Sequence, residues 1–311
     1  MGSSGSTTGA PVRALVLGCM GAGKSTFIKQ MLNKNNKSIS RREYYVYGMQ
    51  LNLLKILQEL KTVCKELEID YRQYEKEFDE IERYKHRETM NTRVTEAVRT
   101  LKNSGLVEAC KKKQRTLQLP INYNYLLQRS DEIIADGFVP TDTDILMSYA
   151  ETVGNNVEDV ICQSVWFELT EIPGHHLGRA RWEKYFPTTH LIIFVIDLAE
   201  LCDPAFYRGH LENKTVAVFT ELINNPLLAQ VCYMLLFNKN SAGFDFKKLA
   251  AHTDTPESAR TFYRGKFTTL VPREKCFAHN VSLVAKNDIN TAINDLTRNI
   301  KNIYRERVAP A

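Results

Sequence analysis

Gly18-Cys19-Met20-Gly21-Ala22-Gly23-Lys24-Ser25 is a complete G-x-x-x-x-G-K-S, and the residues on either side decide how it is read. Before it, Val12 to Leu17 (Val-Arg-Ala-Leu-Val-Leu) is a short apolar run that stops at Gly18, as a buried strand entering a turn does. After it, Ile28, Met31 and Leu32 fall at helical spacing between Ser25 and Asn33. Strand, glycine-rich turn and helix open a parallel βαβ unit. Glycines in such a turn let backbone N–H groups curl around phosphate oxygens that larger side chains would obstruct. A lysine at position 24 bridges the terminal phosphates, a serine hydroxyl at position 25 binds Mg²⁺, and the helix that follows offers its positive end. Gly21, Ala22, Gly23, Lys24, Ser25 and Thr26 are therefore the candidate nucleotide-phosphate site. The loop alone does not choose between adenine and guanine nucleotides, or between a switch and a kinase.

Outward from this loop the chain changes character twice. Residues 1–11 are small and polar and read as a disordered tail. From about 42 to 139, Leu51, Leu53, Leu54, Ile56, Leu57, Leu60, Val63 and Leu67 recur every three or four residues with charges between them, and helical periodicity continues through Tyr71–Tyr84, Val94–Leu106 and Tyr123–Ile134. Strand-like runs then return at Val165–Leu169, Leu191–Ile196, Cys232–Phe237 and Cys276–Val281, separated by helical segments at Val216–Leu222 and Ser258–Leu270. Ile289, Ile293, Leu296, Ile300 and Ile303 place an amphipathic helix at the C-terminus. The expected fold class is α/β, a parallel-rich sheet flanked by helices (12–41 and 140–311) interrupted by an all-helical insertion (42–139).

Composition excludes several classes. With 43% hydrophobic and 25% charged residues in 311, the chain can bury a real core. A net charge of +5 permits anionic partners without implying nucleic acid, and no nucleic-acid partner is expected. The seven cysteines are scattered, which argues for reduced thiols in a cytoplasmic protein against a disulfide framework or a zinc site. No apolar run approaches the roughly 20 residues of a membrane span. Gly2 with Ser6 fits a myristoylation pattern, which would bring the chain to the inner face of the plasma membrane; a plain Gly/Ser-rich tail reads equally well.

Downstream blocks carry a resemblance. Phe138-Val-Pro-Thr-Asp-Thr-Asp-Ile-Leu146 resembles the Tyr-Val-Pro-Thr-x-x-Asp-Val-Leu entry to switch I of heterotrimeric G-protein α subunits, and Phe167-Glu-Leu-Thr-Glu171-Ile-Pro-Gly174-His175 resembles their strand into switch II. Asn213–Leu222, Tyr233–Lys239 and Ala259–Phe267 resemble later blocks, in the same order. The resemblance implies a Ras-like P-loop GTPase domain with a helical lid, GDP or GTP between them and Mg²⁺ on the phosphates. Carried over, it gives nucleotide contacts to Gly174, Asn238 and Lys239, with Ser241 at the fourth guanine-motif position, and metal ligation to Ser25, Thr152 and Glu171. It also implies a Gβγ complex and a membrane receptor as partners, although the eleven residues before Val12 are too few for the family's N-terminal helix.

The departures fall on catalysis and base recognition. The family's switch I arginine, a role worth about 10³–10⁵ in rate, is Tyr149, and Ser130 to Gly178 holds no Lys or Arg. His175 replaces the glutamine that orients the attacking water. Two readings stay open: hydrolysis is impaired, or His175 is the catalytic residue, as in translational GTPases with Asp-x-Pro-Gly-His. In Asn238-Lys239-Asn240-Ser241 a hydroxyl stands where the family's aspartate pairs with guanine, so charge-assisted pairing is lost, and Asp245 lies near enough in sequence to be recruited. Val281-Ser-Leu-Val284 barely matches the last guanine loop, and Met20 crowds the terminal phosphate. Trp182 is either a core anchor or part of a Gβγ surface. Two functions follow: a GDP/GTP signalling switch with slow or impaired hydrolysis, or a pseudo-GTPase scaffold that binds nucleotide and partners without turnover.

Overall fold

The structure, a computed structural model, describes residues 10–34, 42–84, 90–113, 122–148, 154–198, 212–239 and 256–308. The chain divides into two compact units, one of residues 1–38 with 152–311 and one of 39–151.

The first unit is built on a six-stranded sheet in the order β2-β3-β1-β4-β5-β6. Its strands are β1 (Val12–Leu17), β2 (Asn156–Cys162), β3 (Val165–Glu171), β4 (Leu191–Asp197), β5 (Cys232–Asn238) and β6 (Cys276–Asn280). All neighbours are parallel except β2, which is antiparallel to β3. Every residue of β4 and β5 is buried, which is why both read as unbroken apolar runs. Alternate residues feed two cores. Leu15, Leu17, Ile192, Phe194 and Leu235 pack on one face with Phe219 of α10 (Glu212–Ile223) and Phe267 of α11 (Pro256–Thr268). Ala14, Val16, Ile193 and Leu236 pack on the other with Phe27 and Met31 of α1 (Lys24–Lys34) and Ile293 and Leu296 of α12 (Lys286–Val308).

Strand β2 is an addition to the expected elements. It is an edge strand with Val157, Asp159 and Ile161 turned to solvent, so it lacks the apolar signature of its neighbours. Its hairpin turn, Gln163-Ser164, takes positive φ at both residues (46° and 68°) without the glycine or asparagine that marks such turns in a sequence.

The second unit is helical throughout its described residues. It contains α2 (Glu43–Glu66), α3 (Glu75–Arg83), α4 (Thr92–Lys102), α5 (Leu106–Lys113), α6 (Tyr123–Gln128), α7 (Ser130–Ile133) and α8 (Asp142–Met147). The leucine stripe of α2 (Leu53, Leu57, Leu60) forms its core with Phe78, Val98 and Leu126. The boundary lies later than the expected 139/140, because the segment carrying α8 is bound to this unit, by Arg42 on Pro140 O and Asp142, by Asn122 on Met147 O, and through one buried carboxylate. Asp144, fully buried, accepts from Tyr125 Oη at 2.6 Å, from Arg129 Nε and Nη2 at 3.1 and 2.9 Å, and from Thr141 N and Oγ1 at 2.8 and 2.7 Å. Thr141 in turn caps α8 in a reciprocal box.

Burial disfavours the Asp144 carboxylate, but its hydrogen bonds from Arg129, Tyr125 and Thr141 outweigh that and hold it at about 2. A carboxyl depressed in the folded state contributes stability above its unfolded value near 3.8 and loses it as pH falls toward 2. Asp144→Asn is expected to lower unfolding stability by about 2 kcal/mol at pH 7, by removing the charge that Arg129 and two hydroxyls pair with, Arg129 keeping only Glu132. In urea titrations that deficit should shrink as pH drops below 4; a deficit independent of pH would contradict it.

Candidate nucleotide site

The glycine-rich loop runs from the C-terminal end of β1 into α1, at the edge of the parallel sheet where ligands of such folds bind. Two of its glycines are imposed by geometry. Gly18 has φ +143°, and a Cβ there would lie 2.3 Å from the Val195 carbonyl oxygen of β4. Gly23 has φ +108°, and its Cβ would lie 2.4 Å from Asn238 Nδ2. Lys24 is the first residue of α1 and is buried, its Nζ donating to Gly18 O at 3.1 Å and Cys19 O at 2.9 Å. The ammonium therefore lies inside the loop.

Asn238, the last residue of β5, holds this loop to a second one. Its Nδ2 donates to Ala22 O at 2.8 Å, and its Oδ1 accepts from Leu283 N at 3.0 Å. From α1, Gln30 Nε2 donates to Leu283 O at 2.8 Å. Asp288 Oδ2 accepts from Ser282 N at 2.9 Å. The 281–285 loop, hardly recognisable as sequence, is thus fixed from β5, α1 and α12. Next to Asn238, Lys239 takes a left-handed backbone (φ +66°) and its ammonium forms an ion pair with Asp197 at the end of β4.

Ser25 and the end of β3 meet at a third contact. Ser25 Oγ donates to Glu171 Oε1 at 2.5 Å. A hydroxyl whose proton lies on a carboxylate acts toward anything else only as an acceptor, the role of a cation ligand. This pair fits a hard divalent ion. Burial pushes Lys29 of α1 down to about 8, with the Glu171 charge opposing.

Beyond Glu171 the chain folds back against the loop. A Cβ on Gly174 would lie 2.2 Å from Gly18 O and 2.6 Å from Lys24 Nζ, so only glycine fits. His175 then turns away into its own chain: its Nδ1 accepts from Gly178 N at 3.2 Å, at the start of the four-residue α9 (His176–Arg179). That acceptor role puts the ring proton on Nε2. Gly178 has no room for a side chain either, since its Cβ would lie 2.3 Å from Pro173 O. Trp182 is buried with its Nε1 donating to Pro173 O at 3.4 Å, which makes it a core anchor of this segment. Met20 stands out of the loop, 57% exposed.

Gly21, Ala22, Gly23, Lys24, Ser25, Thr26, Glu171, Gly174, His175, Asn238 and Lys239 all belong to the first unit, on and around this loop. Gly2, Tyr149, Thr152, Ser241, Asp245 and the His176 side chain lie outside the described residues. Sequence reasoning gave no role to Gln30, Asp197 and Gly178. Gln30 reaches Leu283, 253 positions away, and Asp197 reaches Lys239, 42 positions away, so neither belongs to a local motif.

Comparison with known proteins agrees with this architecture. The family model of the G-protein alpha subunit matches residues 3–300, and the chain belongs to that family of guanine nucleotide-binding signalling subunits. It is similar to the guanine nucleotide-binding protein alpha-9 subunit of Dictyostelium discoideum, 24% identical over 303 residues, covering 92% of this chain and 88% of that protein. It is 23% identical over 245 residues to the alpha-4 subunit of Caenorhabditis briggsae, covering 74% and 68%. Over 245 residues it is 25% identical to subunit alpha-13 of Rattus norvegicus, covering 73% of this chain and 65% of that protein.

Asn238→Ala leaves a buried carbonyl and a buried N–H unpaired, each costing roughly 1–3 kcal/mol. The variant is expected to lose about 3 kcal/mol of unfolding stability by denaturant titration. A loss under 1 kcal/mol would show that the two loops are held by other means.

Proposed function

We propose that the chain is a guanine nucleotide-dependent signalling switch that holds nucleotide on its glycine-rich loop and hydrolyses it slowly or not at all. The observation that carries this reading is the engagement of His175. With Nδ1 accepting from Gly178 N, the ring offers only an Nε2 donor. It cannot take a proton from an attacking water without giving up the turn that it stabilises. The sequence adds that Tyr149 stands at the position of the family's arginine, with no Lys or Arg from Ser130 to Gly178 to replace it.

In this reading backbone N–H groups of Gly21–Thr26 and the Lys24 ammonium bind the phosphates, the ammonium leaving its contacts with Gly18 O and Cys19 O. Gly174 places a backbone N–H against the same phosphates. Asn238 and Lys239 form the base site, and Ser241 lacks the charge that would select guanine strongly. Mg²⁺ would be held by Ser25, with Glu171 and Thr152 completing its surroundings; when bound it would neutralise charge on the phosphate oxygens. The buried Glu171 keeps the Ser25 hydroxyl oriented for that role.

The second reading, a nucleotide-stabilised scaffold without turnover, draws on the same His175 contact. Gβγ and a membrane receptor are proposed as partners from family membership alone. Support for a partner at switch II is Leu177, 71% exposed on α9, whereas Trp182 is buried. Gly2 acylation rests on the sequence pattern, and the intact mass of the chain from a eukaryotic host checks it.

Single-turnover hydrolysis of bound GTP separates the readings. Turnover slower than on the order of 10⁻³ s⁻¹ is expected. His175→Ala should leave that rate unchanged while lowering stability by about 1 kcal/mol through loss of the cap. Fast hydrolysis abolished by His175→Ala would overturn the impaired reading, and complete absence of phosphate release over hours would favour the scaffold.

A further inference from the structure

The helical unit contains a feature unrelated to nucleotide. Cys64 on the inner face of α2 and Cys110 on α5 are both fully buried, and their sulfurs lie 3.5 Å apart. A disulfide has sulfurs about 2.05 Å apart, so closing the pair needs about 1.5 Å of approach, within reach of small side-chain rotations. Cys19 accepts from Thr215 Oγ1 and, with Cys162, Cys232 and Cys276, belongs to the sheet unit. Next to Cys64 the surface carries an open depression of about 370 Å³, lined by Glu68, Ile69, Asp70 and Tyr71 among others, while Cys64, which also lines it, exposes no surface. A small oxidant reaches this sulfur when the packing over it opens locally.

We propose that Cys64 and Cys110 are a redox-modifiable thiol pair, closed to an intramolecular disulfide by a peroxide that reaches them as the packing beside this depression opens. The Cys64 thiolate attacks one oxygen of hydrogen peroxide, the O–O bond breaks, and hydroxide leaves to become water on protonation. The sulfenic acid so formed is attacked at sulfur by the Cys110 thiolate. The S–S bond forms, the S–O bond breaks, and a second water leaves. Two thiols lose two protons and two electrons in all, and one peroxide is reduced to two waters. Burial pushes the Cys64 thiol up to about 12, with the Cys110 contact adding to it, and burial raises Cys110 as well. Thiolate is scarce, so the reaction is slow at neutral pH and needs peroxide in excess. The product closes a loop between positions 46 apart, joining α2 to α5 through the unit's own core.

The test uses the full-length chain, reduced and then treated for hours with millimolar hydrogen peroxide at neutral pH. The protein is then denatured, alkylated and digested. The expected result is a peptide pair joining Cys64 to Cys110, two hydrogens lighter and reversed by dithiothreitol. The oxidised chain should melt higher, on the order of 5 °C for a loop of this length. Cys110→Ala, which keeps the site apolar, should abolish both effects. Full alkylation of both cysteines after treatment would overturn the proposal. So would over-oxidation of Cys64 without a disulfide, or its pairing with a different cysteine. Because the cross-link is read on the unmodified sequence, the result does not depend on whether the variant folds.

Discussion

Asn238 is the side chain on which the candidate site depends. It is buried at the end of β5, and its two amide atoms reach opposite ways, to Ala22 O in the glycine-rich loop and to Leu283 N in the loop before α12. Neither loop has regular hydrogen bonding of its own at these positions, and an unpaired buried polar group costs more than a formed bond returns. One amide thereby fixes two loops that lie far apart in sequence. Gly23 follows from it, since any side chain there would collide with Nδ2. The left-handed turn at Lys239 and its ion pair with Asp197 continue the same anchoring on the next residue.

A second constraint acts from the β3 side. Gly174 approaches the backbone of Gly18 and the ammonium of Lys24 so closely that no Cβ fits, and the residue after it turns its imidazole back onto Gly178 N. In the proposed reading this segment presents a backbone N–H, and no side-chain base, to the phosphates. Ser25 and Glu171 show the converse. A longer carboxylate in place of aspartate still reaches the serine hydroxyl directly, and the hydroxyl keeps the orientation that the proposed cation site would use.

What could be read in the sequence follows from how local each signal is. The loop, its strand and its helix were legible because glycines, lysine and serine sit within eight positions and the flanking periodicities differ. Strands β4 and β5 were legible because burial on both faces makes them continuously apolar. Strand β2 was not, being an edge with three of its seven residues polar and a turn without glycine. The late boundary of the helical unit depends on Asp144, whose partners Tyr125 and Arg129 are 19 and 15 positions away. The fixing of the 281–285 loop by Gln30 and Asn238 is a tertiary fact with no local pattern at all. His175 stands out in the sequence by its place in the motif, but its contact with Gly178, on which the proposed reading rests, has no sequence signal.

Equilibrium titration of the chain with GTP and with ATP in the presence of Mg²⁺, alongside Lys24→Ala, tests most directly whether this loop holds a nucleotide. The account predicts that both the binding and the accompanying rise in melting temperature are lost in Lys24→Ala. It also predicts that GTP is favoured over ATP by a modest factor, because Asn238 and Lys239 are present while Ser241 carries no charge. Equal, weak association of either nucleotide with the unmodified chain and with Lys24→Ala would contradict it.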